Sequence, residues 1–336
     1  MKKRTFEKET DISLELVRKA VFATERIRLL GPQVGTKPDG SPVTPADLVS
    51  QSIILGGIRR HFPGDKVIAE EQVNPDGGES LGDMVFQVLR EMGLPDDRRS
   101  LEETVNYRGK PDGARTWMVD PLDGTKGYVR GLCYSIALGL FEENKPCFGC
   151  IASPLFPEGA EDEPVIVYGM AGQAAYRIRD QGNVPQKIGV SDTERIAQMR
   201  IVGSRAHDSE DFCGSVANAL GIADIHRMDG EAKYLMLALG LAEIYVRTSK
   251  PSLGIGYPWD HCAGQAILEA AGGKVTDLTG KMIDYGDHPQ GRMTGVDGLA
   301  ATNGKRHEEI LDRIRDLEIG GIHNGRTRHT PRQPRS

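Results

Sequence analysis

Residues 119–127 read VDPLDGTKG, which sets Asp120 and Asp123 three positions apart around a proline and follows them with a glycine and a hydroxyl. Two carboxylates held so close repel, and a cation between them is the simplest relief. The apolar run TWMV reads as a strand that delivers Asp120 at its carboxyl end. Pro121 fixes a turn, and Gly124 permits a positive φ or a close approach of backbone to ligand. Asp123 then folds back beside Asp120, with the Leu122 carbonyl directed into the same space. Three oxygens at short range suit a hard cation, and Mg²⁺ is the usual one. The plainer reading is an Asp-rich turn whose carboxylates accept backbone N–H groups. Alone, the motif does not decide between them.

Other acids occupy comparable places. KVIAEEQ reads as a short buried strand ending in Glu70 and Glu71, neither with a cationic partner nearby in sequence. PWDHCAGQAILEAAGG puts Asp260 at a helix start, followed by small residues that let the helix pack tightly. VTPAD puts Asp47 in the first turn of a helix. Capping or the helix dipole accounts for each acid singly. Jointly, all of them sit at strand ends or helix starts, where open α/β sites assemble.

The elements that must position these acids follow from periodicity. Residues 11–30 carry apolar positions at helical spacing, with Asp11 as the expected N-cap, and a second helix runs from Pro45 to His61 behind Thr44. Residues 72–115 are polar and glycine-spotted, with one helical stretch over 81–92, and read as an insertion lying over the surface. From Thr116, the runs TWMVD, CYSIALGLF, CFGCIAS, PVIVYGMAG and AAYRI predict a mainly antiparallel sheet. After Gly189 the pattern alternates: strand MRIVGS, helix 208–221, helix EAKYLMLALG, strand AEIYVR, helix 260–271, strands KVTD and LAATNG, and helix 304–316. The expected division is 1–190 as an α+β subdomain with the metal-binding motifs, 191–320 as an α/β subdomain, and 321–336 as a basic, disordered tail.

Composition narrows the partners. A chain of 336 residues with formal charge −6 and pI near 5.8 is a poor match for a nucleic-acid backbone or an anionic membrane. No apolar run approaches a membrane span, and the basic N-terminus lacks the apolar stretch of a secretory signal. Five cysteines, an odd number in apolar surroundings, suit a reducing cytoplasm better than a disulfide framework. Cys147 and Cys150 in CFGC have redox or zinc spacing but no second pair, so buried strand thiols are expected.

The ordered set SPVTPADLVSQ, KVIAEEQ, VDPLDGTKGYVRG, DGEAKYLMLALGLAEIYVR and WDHCAGQAILEAAGG resembles the inositol monophosphatase superfamily of Mg²⁺-dependent, lithium-sensitive phosphatases across residues 10–315. KGYVRG resembles the 3′(2′),5′-bisphosphate nucleotidase branch. The resemblance implies a five-layer αβαβα sandwich of the sugar phosphatase type. It implies two or three Mg²⁺ ions held by Glu70, Asp120, the Leu122 carbonyl, Asp123 and Asp260. It also implies that Thr125 and Asp47 polarise a metal-activated water that attacks phosphorus in line, with Gly124 and Thr125 opening a helix toward the phosphate.

The resemblance further implies that Ser204, His207, Gly230, Lys233, Arg247 and Asp260 contact the substrate, as do Gly124 and Thr125, with Lys233 and Arg247 suited to a second phosphate. Here the histidine is displaced, and Gly230 replaces a hydroxyl residue, which removes a hydrogen bond from the base side. A lone lysine such as Lys233 also has the plainer reading of an exposed, snorkelling side chain. The implied activity is hydrolysis of adenosine 3′(2′),5′-bisphosphate to AMP and phosphate by a cytoplasmic monomer or homodimer. Two alternatives stand beside it: a phosphatase for inositol mono- or bisphosphates or another sugar phosphate, and a non-catalytic sensor of nucleotide and metal.

Overall fold

The computed structural model describes residues 6–31, 33–38, 40–73, 82–157, 164–179, 184–205, 211–249, 254–286 and 291–317. Helix α1 (Glu7–Leu30) starts a turn earlier than the periodicity suggests. Phe6 takes the cap position, and Asp11 lies within the helix rather than capping it. A two-residue hairpin, β1 (Gly35–Thr36) with β2 (Pro42–Val43), leads into α2 (Pro45–His61). That helix begins where the sequence says it should. Thr44 accepts from the Ala46 N–H, the Thr44 N–H donates to Asp47, and Pro45 fills the first position. Such a capping box contributes about 1 kcal/mol.

Strand β3 (Lys66–Ala69) is followed by α3 (Gly82–Glu91) and α4 (Arg98–Val105). These two helices correct the expectation of a surface insertion. Val85, Val88, Leu89, Leu101 and Val105 are buried in the same core as α1 and α2. The amphipathic helix α4 escapes a composition-based reading because its turns are mostly charged.

Next come β4 (Arg115–Asp123), the one-turn helix α5 (Thr125–Val129), β5 (Ser135–Glu142), β6 (Lys145–Ser153), β7 (Val165–Met170), β8 (Ala175–Arg179) and β9 (Gln186–Ile188). With β3 they form a seven-stranded sheet in the order β3-β4-β5-β6-β7-β8-β9, parallel at β3/β4 and antiparallel elsewhere. The second sheet has five strands in the order β11-β10-β12-β14-β13: β10 (Arg200–Ser204), β11 (Asp224–Met228), β12 (Ile244–Thr248), β13 (Lys274–Asp277) and β14 (Gly298–Thr302). Helices α6 (Phe212–Leu220), α7 (Ala232–Ala238), α8 (Cys262–Ala270) and α9 (His307–Leu317) alternate with these strands. Strand β11 was not expected from its exposed, polar residues.

The layers are set by which face of each strand is apolar. In the large sheet Trp117, Ile136, Leu138, Phe148 and Ile166 point toward α1 and α2, whereas Met118, Ala137, Ile151 and Val167 point toward α7 and α8. Outside the small sheet, α6 and α9 close a third core with Ile201, Val216, Ile244, Ile310 and Ile314. Helix pair, sheet, helix pair, sheet, helix pair is the expected five-layer order.

The central helix lies unusually close to the large sheet. Gly139, Gly149 and Gly169 stand side by side on β5, β6 and β7. A Cβ would come within 2.6 Å of Cys262 at Gly139, 2.2 Å of the Ala263 carbonyl at Gly149, and 2.7 Å of Ile267 at Gly169. The small residues of CAGQA therefore sink into a glycine trough. Cys262 is one of five cysteines, all buried, with no disulfide among the described residues.

Candidate active site

Strand β4 delivers the aspartates as the sequence suggests, through a bulge. Asp120 pairs with Ala137 and Asp123 with Ser135, so three steps on β4 span two on β5. The extra residue bends the strand and turns both acids toward one side. Two hydrogen bonds fix the bend: the Leu122 N–H donates to Asp120 Oδ1 at 3.1 Å, and Ser50 of α2 donates to the Pro121 carbonyl at 2.6 Å.

Glu70, Asp120, Leu122, Asp123, Gly124, Thr125, Ser204, Gly230, Lys233, Arg247 and Asp260 all line one cleft of about 340 Å³. Asp47 lies behind the wall, fully buried, and reaches the cleft through Thr125. The Thr125 hydroxyl is 3.2 Å from Asp47 Oδ1 and 3.3 Å from the Leu122 carbonyl, while Asp47 Oδ2 is held by the Thr44 N–H and hydroxyl at 2.7 Å each. His207 and the tail 321–336 lie outside the described residues.

Negative charge dominates the cleft. Burial, followed by repulsion from Glu70, Asp123 and Asp260, drives the Asp120 carboxyl well above its ordinary range. Burial and then Asp260 push Asp123 to about 7, against the pull of Lys233 and the Glu231 N–H. Burial raises Asp260 to about 6 although Arg247 opposes it, and burial raises Asp47 to about 6 against its bonds to Thr44. The repulsion expected between the paired aspartates is thus real, but desolvation is the larger cause.

The protein itself answers part of that charge. The Lys37 ammonium, carried on the β1–β2 hairpin, donates to Glu70 at 2.6 Å and Glu71 at 2.5 Å. The two glutamates therefore have a cationic partner after all, one that sequence proximity did not reveal. The Glu231 N–H donates to Asp123, and the Tyr257 N–H donates to Asp260 Oδ2 at 3.0 Å. Among the described residues no three carboxylate, imidazole or thiol groups converge as a finished metal cluster. An all-oxygen wall of Glu70, Asp120, Asp123 and Asp260, each acid in repulsion with others, nonetheless has donor chemistry that fits Mg²⁺.

Several site residues escaped the sequence reading. Glu231, 1% exposed, caps the start of α8 by accepting from the Gly264 N–H, and its other oxygen is buried without a hydrogen-bond partner. Burial and Asp123 hold its carboxyl well above the usual range. Asp229 accepts from the Arg205 N–H at 3.1 Å and from Ser204 at 3.4 Å, which ties Ser204 to the cleft wall. Lys37, Tyr257 and Arg292 escaped it as well; nothing in their local sequence marks them.

Other expectations change in detail. Asp260 does not cap α8: it sits in a separate 3₁₀ turn, Pro258–Asp260, that precedes the helix. Lys233 does not snorkel into solvent. It is 6% exposed, donates to the Gly230 carbonyl at 2.6 Å and lies over the Tyr245 ring at 5.3 Å. Gly230, at φ +69°, packs against Asp123, whose Oδ2 would be 3.0 Å from a Cβ there. His261, beside Asp260, bridges Tyr234 and the Ile255 carbonyl at 3.0 Å each, and burial lowers its pKa to about 3. A neutral, doubly bonded imidazole is structural.

Two sheets enclosing a pair of short helices, with further helices on the outer faces, make a layered fold found in solved inositol monophosphatases. The solved IMPase from Thermotoga maritima shares it with a TM-score of 0.66 at 21% identity, over 93% of this chain and 99% of that one. The chain belongs to the inositol monophosphatase family, whose sequence pattern matches residues 7–318. Among curated relatives, it is 31% identical to 3′,5′-bisphosphate nucleotidase 2 of Arabidopsis thaliana over 93% of this chain and 97% of the relative. It is 32% identical to the 3′(2′),5′-bisphosphate nucleotidase of Oryza sativa over 84% of this chain and 86% of the relative.

Proposed function

We propose that this chain is a Mg²⁺-dependent phosphatase that removes the 3′(2′)-phosphate of adenosine 3′(2′),5′-bisphosphate, giving AMP and phosphate. The observation that carries the reading is the Thr125–Asp47 hydrogen bond at the edge of the four-acid cleft. The names of relatives matched along nearly the whole chain supply the substrate.

Glu70, Asp120, the Leu122 carbonyl, Asp123 and Asp260 would hold two or three Mg²⁺ ions, which when bound supply Lewis acidity and neutralise charge on the phosphate. The residues do the rest. Thr125 donates a hydrogen bond to Asp47, so the lone pairs of its Oγ1 are left to accept one from the attacking water, and the leaving ribose oxygen takes up a proton from a second water. Asp47 accepts that hydrogen bond and cannot turn away, because Thr44 holds its second oxygen. Lys233 and Arg247 would oppose the charge of the second phosphate, and Gly124, Ser204 and Gly230 would shape the wall against the nucleotide.

This reading includes lithium inhibition and a cytoplasmic enzyme working as a monomer or homodimer. No helix among the described residues is long and apolar enough to cross a membrane.

Phosphate release by purified protein with Mg²⁺ tests it, with adenosine 3′,5′-bisphosphate compared with inositol 1-phosphate. Preference for the nucleotide is expected. Efficient turnover of the inositol phosphate alone would overturn the substrate, and nucleotide binding with no turnover of either would leave a sensor.

A further inference from the structure

One wall of the cleft is built around a stacked arginine. Residues 254–257 and 291–294 run side by side, joined by Met293 N–H to the Gly256 carbonyl at 2.8 Å and Ile255 N–H to the Met293 carbonyl at 3.4 Å. The approach needs glycine at two places. A Cβ on Gly254, at φ +58°, would lie 1.9 Å from the Met293 carbonyl. A Cβ on Gly291, at φ +74°, would come within 3.3 Å of both the Tyr257 and Trp259 rings. Those rings stack at 4.5 Å with 8° between their planes, and the Arg292 guanidinium lies over Tyr257 at 4.6 Å.

The stack is joined to the acids. Tyr257 donates its N–H to Asp260, Trp259 is the residue before Asp260, and Tyr257, Arg292 and Asp260 face the same cleft. A guanidinium laid on an aromatic ring loses much of its side-chain freedom before a ligand arrives. Its planar fork of N–H groups has the geometry of phosphate oxygens. We propose that Arg292, seated on Tyr257, is a specificity-determining residue that binds the phosphate group that is not hydrolysed. The inference rests on the reading of the substrate as a bisphosphate and adds a residue to it.

The test is the ratio of kcat/KM for adenosine 3′,5′-bisphosphate to that for adenosine 3′-monophosphate, which lacks the second phosphate. Arg292→Met should lower that ratio about ten- to a hundredfold, the loss expected for a charge-assisted bidentate contact, and chiefly through KM. Arg292→Lys should fall between, because charge without the fork gives part of the contact. Tyr257→Leu should lower the ratio by releasing the guanidinium. An unchanged ratio in Arg292→Met, a parallel loss on both substrates, or a wild-type ratio near one would overturn the role of Arg292. Wild-type protein that hydrolyses inositol 1-phosphate and neither nucleotide would instead overturn the nucleotide reading. The ratio of inositol 1,4-bisphosphate to inositol 1-phosphate then decides Arg292 by the same outcomes.

Discussion

The Thr125 hydroxyl stands 3.2 Å from Asp47 Oδ1, joining two residues 78 positions apart that neither helix α5 nor helix α2 could orient alone. Replacing Thr125 with Ala removes the hydroxyl but none of the buried bonds around Thr44. We expect kcat to fall about a hundredfold or more, the scale of a lost general-base contact, with the circular dichroism spectrum unchanged. Thr125→Ser should retain part of the activity. A Thr125→Ala enzyme with near wild-type kcat would exclude this pair from the chemistry.

Lys37 bridges Glu70 and Glu71. Substituting Met leaves two adjacent carboxylates facing each other, with Glu71 only 3% exposed. Removing one partner of a buried ion pair costs on the order of 3 kcal/mol, and the chelator-treated protein should melt correspondingly lower. Added Mg²⁺ should stabilise Lys37→Met more than wild type, because a cation then relieves the glutamates. Equal melting temperatures without metal would show that the bridge is energetically idle.

The acids make metal-free stability fall as pH rises. Asp47 and Asp260 are raised to about 6, Asp123 to about 7 and Glu71 to about 8, each first by burial. The folded state then holds protons that the unfolded chain has released above about pH 4. Their stabilising contribution is present below that pH and is lost as pH climbs through 6 to 8. Thermal melts of chelated protein should drop across this window. Melts with Mg²⁺ should drop less, and metal binding should release protons, measurable as a buffer-dependent heat. Flat melting of the chelated protein across the window would contradict this account.

Gly149 sits under α8, with the Ala263 carbonyl 2.2 Å from where a Cβ would be. Gly149→Ala should destabilise the fold by about 1–3 kcal/mol through overpacking. It should also weaken Mg²⁺ binding, because α8 continues the turn that presents Asp260. Gly64→Ala, where a Cβ meets nothing within 4 Å, is the control. Equal stability of the two variants would show that the trough is not tightly packed.

The residues that sequence alone determined act through their neighbours in the chain. Thr44, Pro45 and Asp47 start a helix by bonds spanning no more than three positions, and Asp120 to Gly124 build a turn at the end of one strand. Short continuous apolar runs between turn residues likewise marked the central strands, because each buries both faces. The partners of those residues were decided only when distant elements met. Lys37 reaches Glu70 across 33 positions, Glu231 joins Asp123 to α8, and Arg292 lies on Tyr257. The glycine trough belongs to this second group, since each glycine looks locally like a weak point in a strand. Short-range hydrogen bonds and side-chain periodicity are written in adjacent residues, whereas charge compensation and close packing depend on distances that exist only after the layers have closed.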